Sequence, residues 1–178
     1  MNTLKYKALL NIKISRIELP GLLVERSNVF YKKYFKSNKQ AWDIQQADLM
    51  QYPINSLGFQ LHLFLQALQL QLMPKFERHD VYHILTDYST HPMDEIRMQF
   101  FLWGNGKRSL FQLATIIAGS ILLPEYFTSY IQAYRRGKNA YRFYNWDFQH
   151  LLKEDLVATK KLIFQKKADL KLFQHIHF

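Results

Sequence analysis

Proline and glycine fall at helix-length intervals along this chain, and that punctuation limits the fold more than any single motif does. Pro20-Gly21, Pro53, Pro74, Pro92, the run from Gly104 to Lys107, Pro124 and Gly137 divide it into stretches whose apolar residues recur mostly with helical spacing. LKYKALLNIKISRI sets Leu4, Leu9, Leu10 and Ile12 on a rough helical face, and VFYKKYFKSNK is short, aromatic and basic. QQADLMQYP predicts a short helix that opens at Asp48 and stops near Pro53. FQLHLFLQALQLQLM alternates at Leu61, Leu63 and Leu65 as a strand would, but its length and its Leu, Gln and Ala content favour a helix.

Glu77 to Tyr88 reads as a helix, followed by a turn at Ser89-Thr90-His91-Pro92 and a second helix from about Pro92. Proline suits a first helical position, and Asp94 and Glu95 complement the positive end of the helix dipole. Two further helices, about Ser109 to Leu123 and Glu125 to Arg136, meet at Pro124, with Gly137 expected just past the end of the second. A last helix is expected from about Asp155 to Lys167. With no repeat or linker in 1–178, the expectation is one all-α domain, a bundle of about six to eight helices.

Composition narrows the function. The chain has 178 residues, 48% of them hydrophobic, enough for a globular core, and it has no cysteine, so any metal is held by His, Asp and Glu. Its net charge of +10 is uneven: +7 over residues 1–40, −3 over 41–130 and +6 over 131–178. Basic flanks suit an anionic surface, lipid before nucleic acid, because no nucleic-acid-binding motif is present and nucleic acid is not expected as a partner. The start, MNTLKYKALLNIKIS, scatters lysines where a secretory signal needs an apolar stretch, and as a mitochondrial presequence it is poor in Ser and Arg. The best apolar run, Leu110 to Leu123, falls short of the ~20 residues of an ordinary span and carries Gln112, Thr115 and Ser120. Peripheral rather than spanning membrane attachment is therefore expected.

The acidic middle contains HDVYHILTDYSTHPMDE, from His79 to Glu95. At about 100° per residue, His83 lies about 40° and Asp80 about 100° from His79, one quadrant of a helix. Residues four apart have Cβ atoms about 5–6 Å from each other, which lets two imidazoles converge on one ion with bonds of about 2.0–2.1 Å for zinc. An antiparallel hairpin returns Glu95 towards the pair. Histidine pairs at this spacing also arise by chance, and Asp80 can simply cap or pair locally, but a glutamate across the turn favours a divalent metal. His79, His83 and Glu95 are the candidate ligands, and Asp80 is either a fourth ligand or an acid/base partner. Zinc and Fe(II) both suit such a set, and Mg is a third option. His91, His150, His175 and His177 have no evident partner.

His79-Asp80-x-x-His83, eleven residues and then Glu95 resembles the HDxxH-x11-E signature of the ubiquinone (coenzyme Q) biosynthesis protein four family, here Coq-four. MQYPINSLGFQL looks like the segment before that motif, Tyr134 to Ala140 like its aromatic-Arg-Arg-Gly segment, and NWDFQHLLKEDLVATKKLI like its ending, so the resemblance covers about residues 45–165. The family tends to have glycine where this chain has Asp87 and Asp94, which marks a divergent, bacterial-type member and puts the question to the turn.

The resemblance implies an all-α protein that holds a divalent metal, usually zinc, and binds a polyprenyl lipid or prenylated quinone precursor. It implies a cytoplasmic place on the inner membrane (the matrix side in a eukaryote), and other quinone-biosynthesis proteins as partners, with a homodimer as a further option. It also implies a part in removing the ring carboxyl group of a polyprenylated hydroxybenzoate-type precursor, with hydroxylation at the same carbon. Asp80 is then the candidate catalytic group, and whether the chain is itself a lyase or a scaffold stays open. The apolar stretches Leu57 to Leu72 and Leu110 to Leu123 can line a groove for the isoprenoid tail, though plain core explains most of their positions. Arg135, Arg136 and Lys138 can meet an anionic head group or simply complement a helix end. A non-catalytic lipid-binding scaffold with a structural metal is the competing reading. A metallohydrolase ranks lower, because Asp80 stands where such sites carry glutamate.

Overall fold

The computed structural model describes residues 40–165 of the chain. They form an all-α domain with six α-helices: α1 Leu57–Ala67, α2 Glu77–Thr86, α3 Pro92–Asn105, α4 Leu110–Leu122, α5 Phe127–Asn139 and α6 Leu156–Phe164. Short 3-10 helices at Asp48–Gln51, Pro124–Tyr126 and His150–Lys153 complete the order, and no strand occurs among the described residues. The amino-terminal segments containing LKYKALLNIKISRI and VFYKKYFKSNK lie outside the described residues.

Helix starts follow local chemistry. Ser56, Ser109 and Asp155 cap α1, α4 and α6 by accepting the backbone N–H three residues on, which satisfies a donor that has no partner inside the helix. His91 caps α3 through Nδ1, and Pro92 opens that helix. Gly106, at φ 109°, ends α3 in the left-handed conformation that glycine adopts without strain.

α3 is the centre of the fold. Ile96, Met98, Phe101 and Leu102 are buried on it, and it packs on α5, α4 and α2. Its crossing with α5 is backbone against backbone: a Cβ on Gly137 would lie 1.9 Å from the Phe101 carbonyl oxygen, and one on Gly104 would lie 2.1 Å from that of Tyr134. Hence Gly137 is not the residue past the helix end that its sequence position suggests. α5 runs on to Asn139, and Gly137 is a buried contact point inside it. Nearby, the buried Asn105 amide donates to the carbonyls of Gly137 and Tyr141 and accepts the N–H of Phe143, tying the ends of α3 and α5 to the chain that follows.

α1 packs on α2 and on the 3-10 helices Asp48–Gln51 and His150–Lys153 through fully buried Leu57, Leu61 and Leu65. It is a helix, as its composition predicts, but it ends at Ala67, with Gln69 at φ 53° and the Leu70 N–H bonded to the Leu65 carbonyl. Beyond it the Gln46 side chain accepts the Leu72 N–H, a long-range partner no local pattern announces.

α4 is turned the other way. Its buried residues are Gln112 and Gly119, while Leu110, Leu113, Ile117 and Ile121 face outward. The Gln112 amide donates to the Gln99 carbonyl, and Gly119 lets Ile96 sit against the α4 backbone. No single helix among the described residues is long and apolar enough to cross a membrane; α4 and the helical stretch after it pass by composition only as a pair bent by 103° at Pro124.

The α3–α5 crossing yields a direct expectation. Gly137→Ala adds a methyl where a carbonyl already lies, and should cost about 3 kcal/mol or prevent folding. Thermal unfolding of the variant against Gly21→Ala, a change outside the described fold, checks it.

Candidate metal centre

His79 and His83 lie one turn apart on α2, and Glu95 sits in the first turn of α3. The turn between these helices brings the three together. Asp87 ends α2 in the left-handed region, at φ 62°, and its N–H bonds to the His83 carbonyl. That conformation favours glycine but is open to aspartate, so the first of the two departures from the Coq-four pattern keeps the turn. Asp87 is also paired with Lys160 of α6. Asp94, the second departure, accepts the N–H and O–H of Ser89 and pairs with Arg97 at 2.8 Å, which braces the same turn from the α3 side.

The donor atoms converge. Nε2 of His79 and Nε2 of His83 each lie 2.9 Å from Oε1 of Glu95 and 3.2 Å from each other. Three ligands on an ion with bonds of about 2.0–2.2 Å sit about 2.8–3.1 Å apart in facial octahedral geometry, and about 3.3–3.6 Å apart in a tetrahedron. The observed triangle lies close to the first and within a small adjustment of the second. The donor set fits a divalent metal, with zinc and Fe(II) both suited to it.

The His83 ring has a defined tautomer. Its Nδ1 lies 2.9 Å from the Tyr88 carbonyl oxygen, which can only accept, so Nδ1 carries the hydrogen. In neutral His83 the Nε2 lone pair then faces a carboxylate oxygen at hydrogen-bond distance. Two lone pairs held that close repel, and a proton or a metal ion between them relieves the repulsion. With only 1% of its side chain exposed, His83 stacks on Phe64 of α1 at 5.8 Å, whereas His79 and Glu95 keep 30% and 26% exposure. The site is closed on the His83 side and open on the other.

Electrostatics agree with the geometry. Burial disfavours charged His83, but the hydrogen bond and charge of Glu95, with help from the Tyr88 carbonyl and Asp80, outweigh it and raise the His83 pKa above 6.5. Burial likewise disfavours ionised Glu95, but the two imidazoles overcome it and hold this carboxyl well below the ordinary carboxylate range. Asp80 is half-buried on α2 and stands outside the converging group, reaching His83 through its charge.

Arg136, read from sequence as a head-group contact or a complement to its own helix end, serves the end of a different helix. Its guanidinium donates to the Thr86 carbonyl at 2.7 Å, among the α2 carbonyls left without a helical partner, and sits 4.6–5.3 Å from the ring centres of Tyr88, Phe101 and Phe164. It is therefore committed to the end of α2 and the Tyr88 turn, and is not free for a head group. Its position among aromatic residues in sequence was the available signal; the Tyr88 carbonyl had none. His91 is a helix cap and His150 pairs with exposed Asp147, while His175 and His177 lie outside the described residues.

No family model matches the chain, and no curated protein matches its sequence. Among solved structures it is similar to a protein of Nostoc punctiforme PCC 73102 provisionally named for ubiquinone biosynthesis, at 16% identity and a TM-score of 0.57, over 85% of this chain and 80% of that one. At that identity, the likeness establishes a shared all-α fold.

Two expectations follow from this geometry. In metal-free protein the raised His83 pKa contributes stability that is complete below about pH 6.5 and is lost as pH rises through the folded value, while the lowered Glu95 pKa contributes above about pH 4.5 and is lost as pH falls. A metal must displace the His83 proton, so the rise in melting temperature on adding zinc should grow from pH 6 to pH 8, by mass action, and vanish in His83→Ala. Differential scanning calorimetry across that range checks it; an equal zinc effect in wild type and His83→Ala overturns the ligand assignment. Arg136→Met, which keeps the bulk but removes the charge, should lower stability by about 2–3 kcal/mol and weaken zinc affinity about tenfold through the Tyr88 turn, read by denaturant unfolding and by competition with a chromogenic chelator.

Proposed function

We propose that this protein binds a divalent metal through His79, His83 and Glu95 and acts in ubiquinone or a related prenylquinone biosynthesis, at the ring carboxyl group of a polyprenylated hydroxybenzoate-type precursor. The observation that carries the reading is the meeting of those three donors with the His83 tautomer fixed by the Tyr88 carbonyl. The HDxxH-x11-E resemblance, and the fold shared with the Nostoc protein, support the pathway.

A bound divalent metal supplies Lewis acidity towards a carboxylate or phenolate oxygen. The chain's own groups do the rest. Glu95 and His83 set the position of the polar ring end, Phe64 closes the buried side, and the more exposed His79–Glu95 side is the approach for substrate. Asp80, next to His79 on α2, is the candidate acid/base partner: in its protonated form it would give its proton to the ring carbon as the carboxyl group leaves as carbon dioxide.

The outward row of Leu110, Leu113, Ile117 and Ile121 on α4 supports peripheral contact with a membrane or with the prenyl tail, each methylene removed from water contributing about 0.8 kcal/mol. The same row favours a second reading, a lipid-carrying scaffold for other quinone-biosynthesis proteins, in which the metal only braces the α2–α3 hairpin.

Metal-loaded protein given a prenylated hydroxybenzoate should form the decarboxylated ring, detected by mass spectrometry, with at least a hundredfold loss in Glu95→Gln and in Asp80→Asn. Absence of turnover, together with retention of prenyl lipid by wild type and loss of it in Ile117→Asp, would establish the scaffold reading instead.

A further inference from the structure

The molecule has a second polar cavity that shares no residue with the metal centre. It is a cleft of about 510 Å³ between the start of α2, the end of α3 and the chain around Tyr144. On α2 it takes Arg78 and Tyr82, each one residue before a candidate ligand and so about 100° around the helix from it. Its volume falls in the range of small-molecule sites.

The cleft is strongly basic. Lys75, Arg78, Lys107 and Arg108 line it against one acid, Glu77, in a stretch of chain whose net charge is otherwise negative. Glu77 is buried, and its carboxylate accepts the backbone N–H of Trp42 at 3.2 Å. The Tyr82 hydroxyl is taken up as a donor to the Tyr144 carbonyl at 2.7 Å.

The two guanidiniums have neutral partners. Arg78 donates to the Tyr144 carbonyl and lies 4.9 Å from the centre of the Phe148 ring. Arg108 donates to the carbonyls of Trp103 and Lys107 and lies 4.2 Å from the Trp103 ring. Carbonyls and ring faces orient a cation without neutralising it. Lys107 is held over the Tyr82 ring at 4.9 Å. Arg78 and Lys107 are half-buried, so salt screens the field they put into the cleft less than on an open surface. An anion in the cleft meets the two guanidiniums that carbonyls and rings leave charged, and Ser109 at the α4 amino terminus adds the positive end of a helix of 13 residues.

We propose that this cleft is a binding site for a phosphoryl-bearing anion of diphosphate size, recognised by Arg78, Lys107 and Arg108, and distinct from the metal centre. The probe is inorganic pyrophosphate, titrated into metal-stripped protein without divalent ions and followed by isothermal calorimetry. Saturable one-to-one binding is expected, weakening as salt rises. Lys107→Gln with Arg108→Gln should raise the dissociation constant at least tenfold with an unchanged circular dichroism spectrum, and exposed Arg108→Gln alone should raise it in the same direction. His83→Ala should bind pyrophosphate as wild type does, which separates this site from the function proposed above. Vesicles containing phosphatidic acid identify the source: a response lost in the double variant assigns a lipid head group, and pyrophosphate binding with no vesicle response assigns a soluble ligand. Absence of saturable binding to either probe, or equal affinity in wild type and the folded double variant, overturns the proposal.

Discussion

The contact of two helix backbones at Gly104 and Gly137 positions the rest of the molecule. With no side chain between them, α3 and α5 approach until the Phe101 and Tyr134 carbonyls fill the space where Cβ atoms would be. Arg136, next to Gly137, is thereby brought to the end of α2, where it meets the Thr86 carbonyl and three aromatic rings. The crossing thus sets where α2 ends relative to α3, and that relation decides whether Glu95 meets the two histidines.

Within the hairpin, the deciding interaction is electrostatic. The Tyr88 carbonyl takes the only hydrogen that neutral His83 has, and leaves its other nitrogen facing a carboxylate. Such an arrangement is stabilised by a proton or a cation held between the two groups. A proton and a divalent ion would compete for the same position, so that metal affinity, protonation and stability would all report on this one site.

The outer surface divides into two chemistries. α4 puts Gln112 and Gly119 inward and its leucines and isoleucines outward, the reverse of a helix that serves only the core. The cleft between α2 and the α3–α4 connection gathers cations whose guanidiniums are held by carbonyls and rings. An apolar row and a basic cleft on one small domain suit partners that are themselves part apolar and part anionic.

Sequence alone determined the helices, because their limits rest on local chemistry: Ser56, Ser109 and Asp155 as caps, Pro92 at a first turn, Gly106 past a last one. It also placed His79 and His83 on one face and Glu95 one turn of chain away, since helical periodicity and a short connection need no distant contact. Tertiary structure decided what depends on neighbours far along the chain. Gly137 reads locally as a helix end, but the Phe101 carbonyl packed against it makes it a crossing point, and α5 continues to Asn139. The end of α1 at Ala67, where the pattern suggested a longer helix, goes with the side chain of Gln46 pairing to Leu72. Arg136 reads as a head-group contact or a complement to its own helix end until three rings and a carbonyl from other segments close around it. Asp80 lies about 100° around the helix from His79, on the same side as the histidines, but convergence on one point is a narrower condition, so only the folded hairpin could leave it beside the converging donors and bring Glu95 among them.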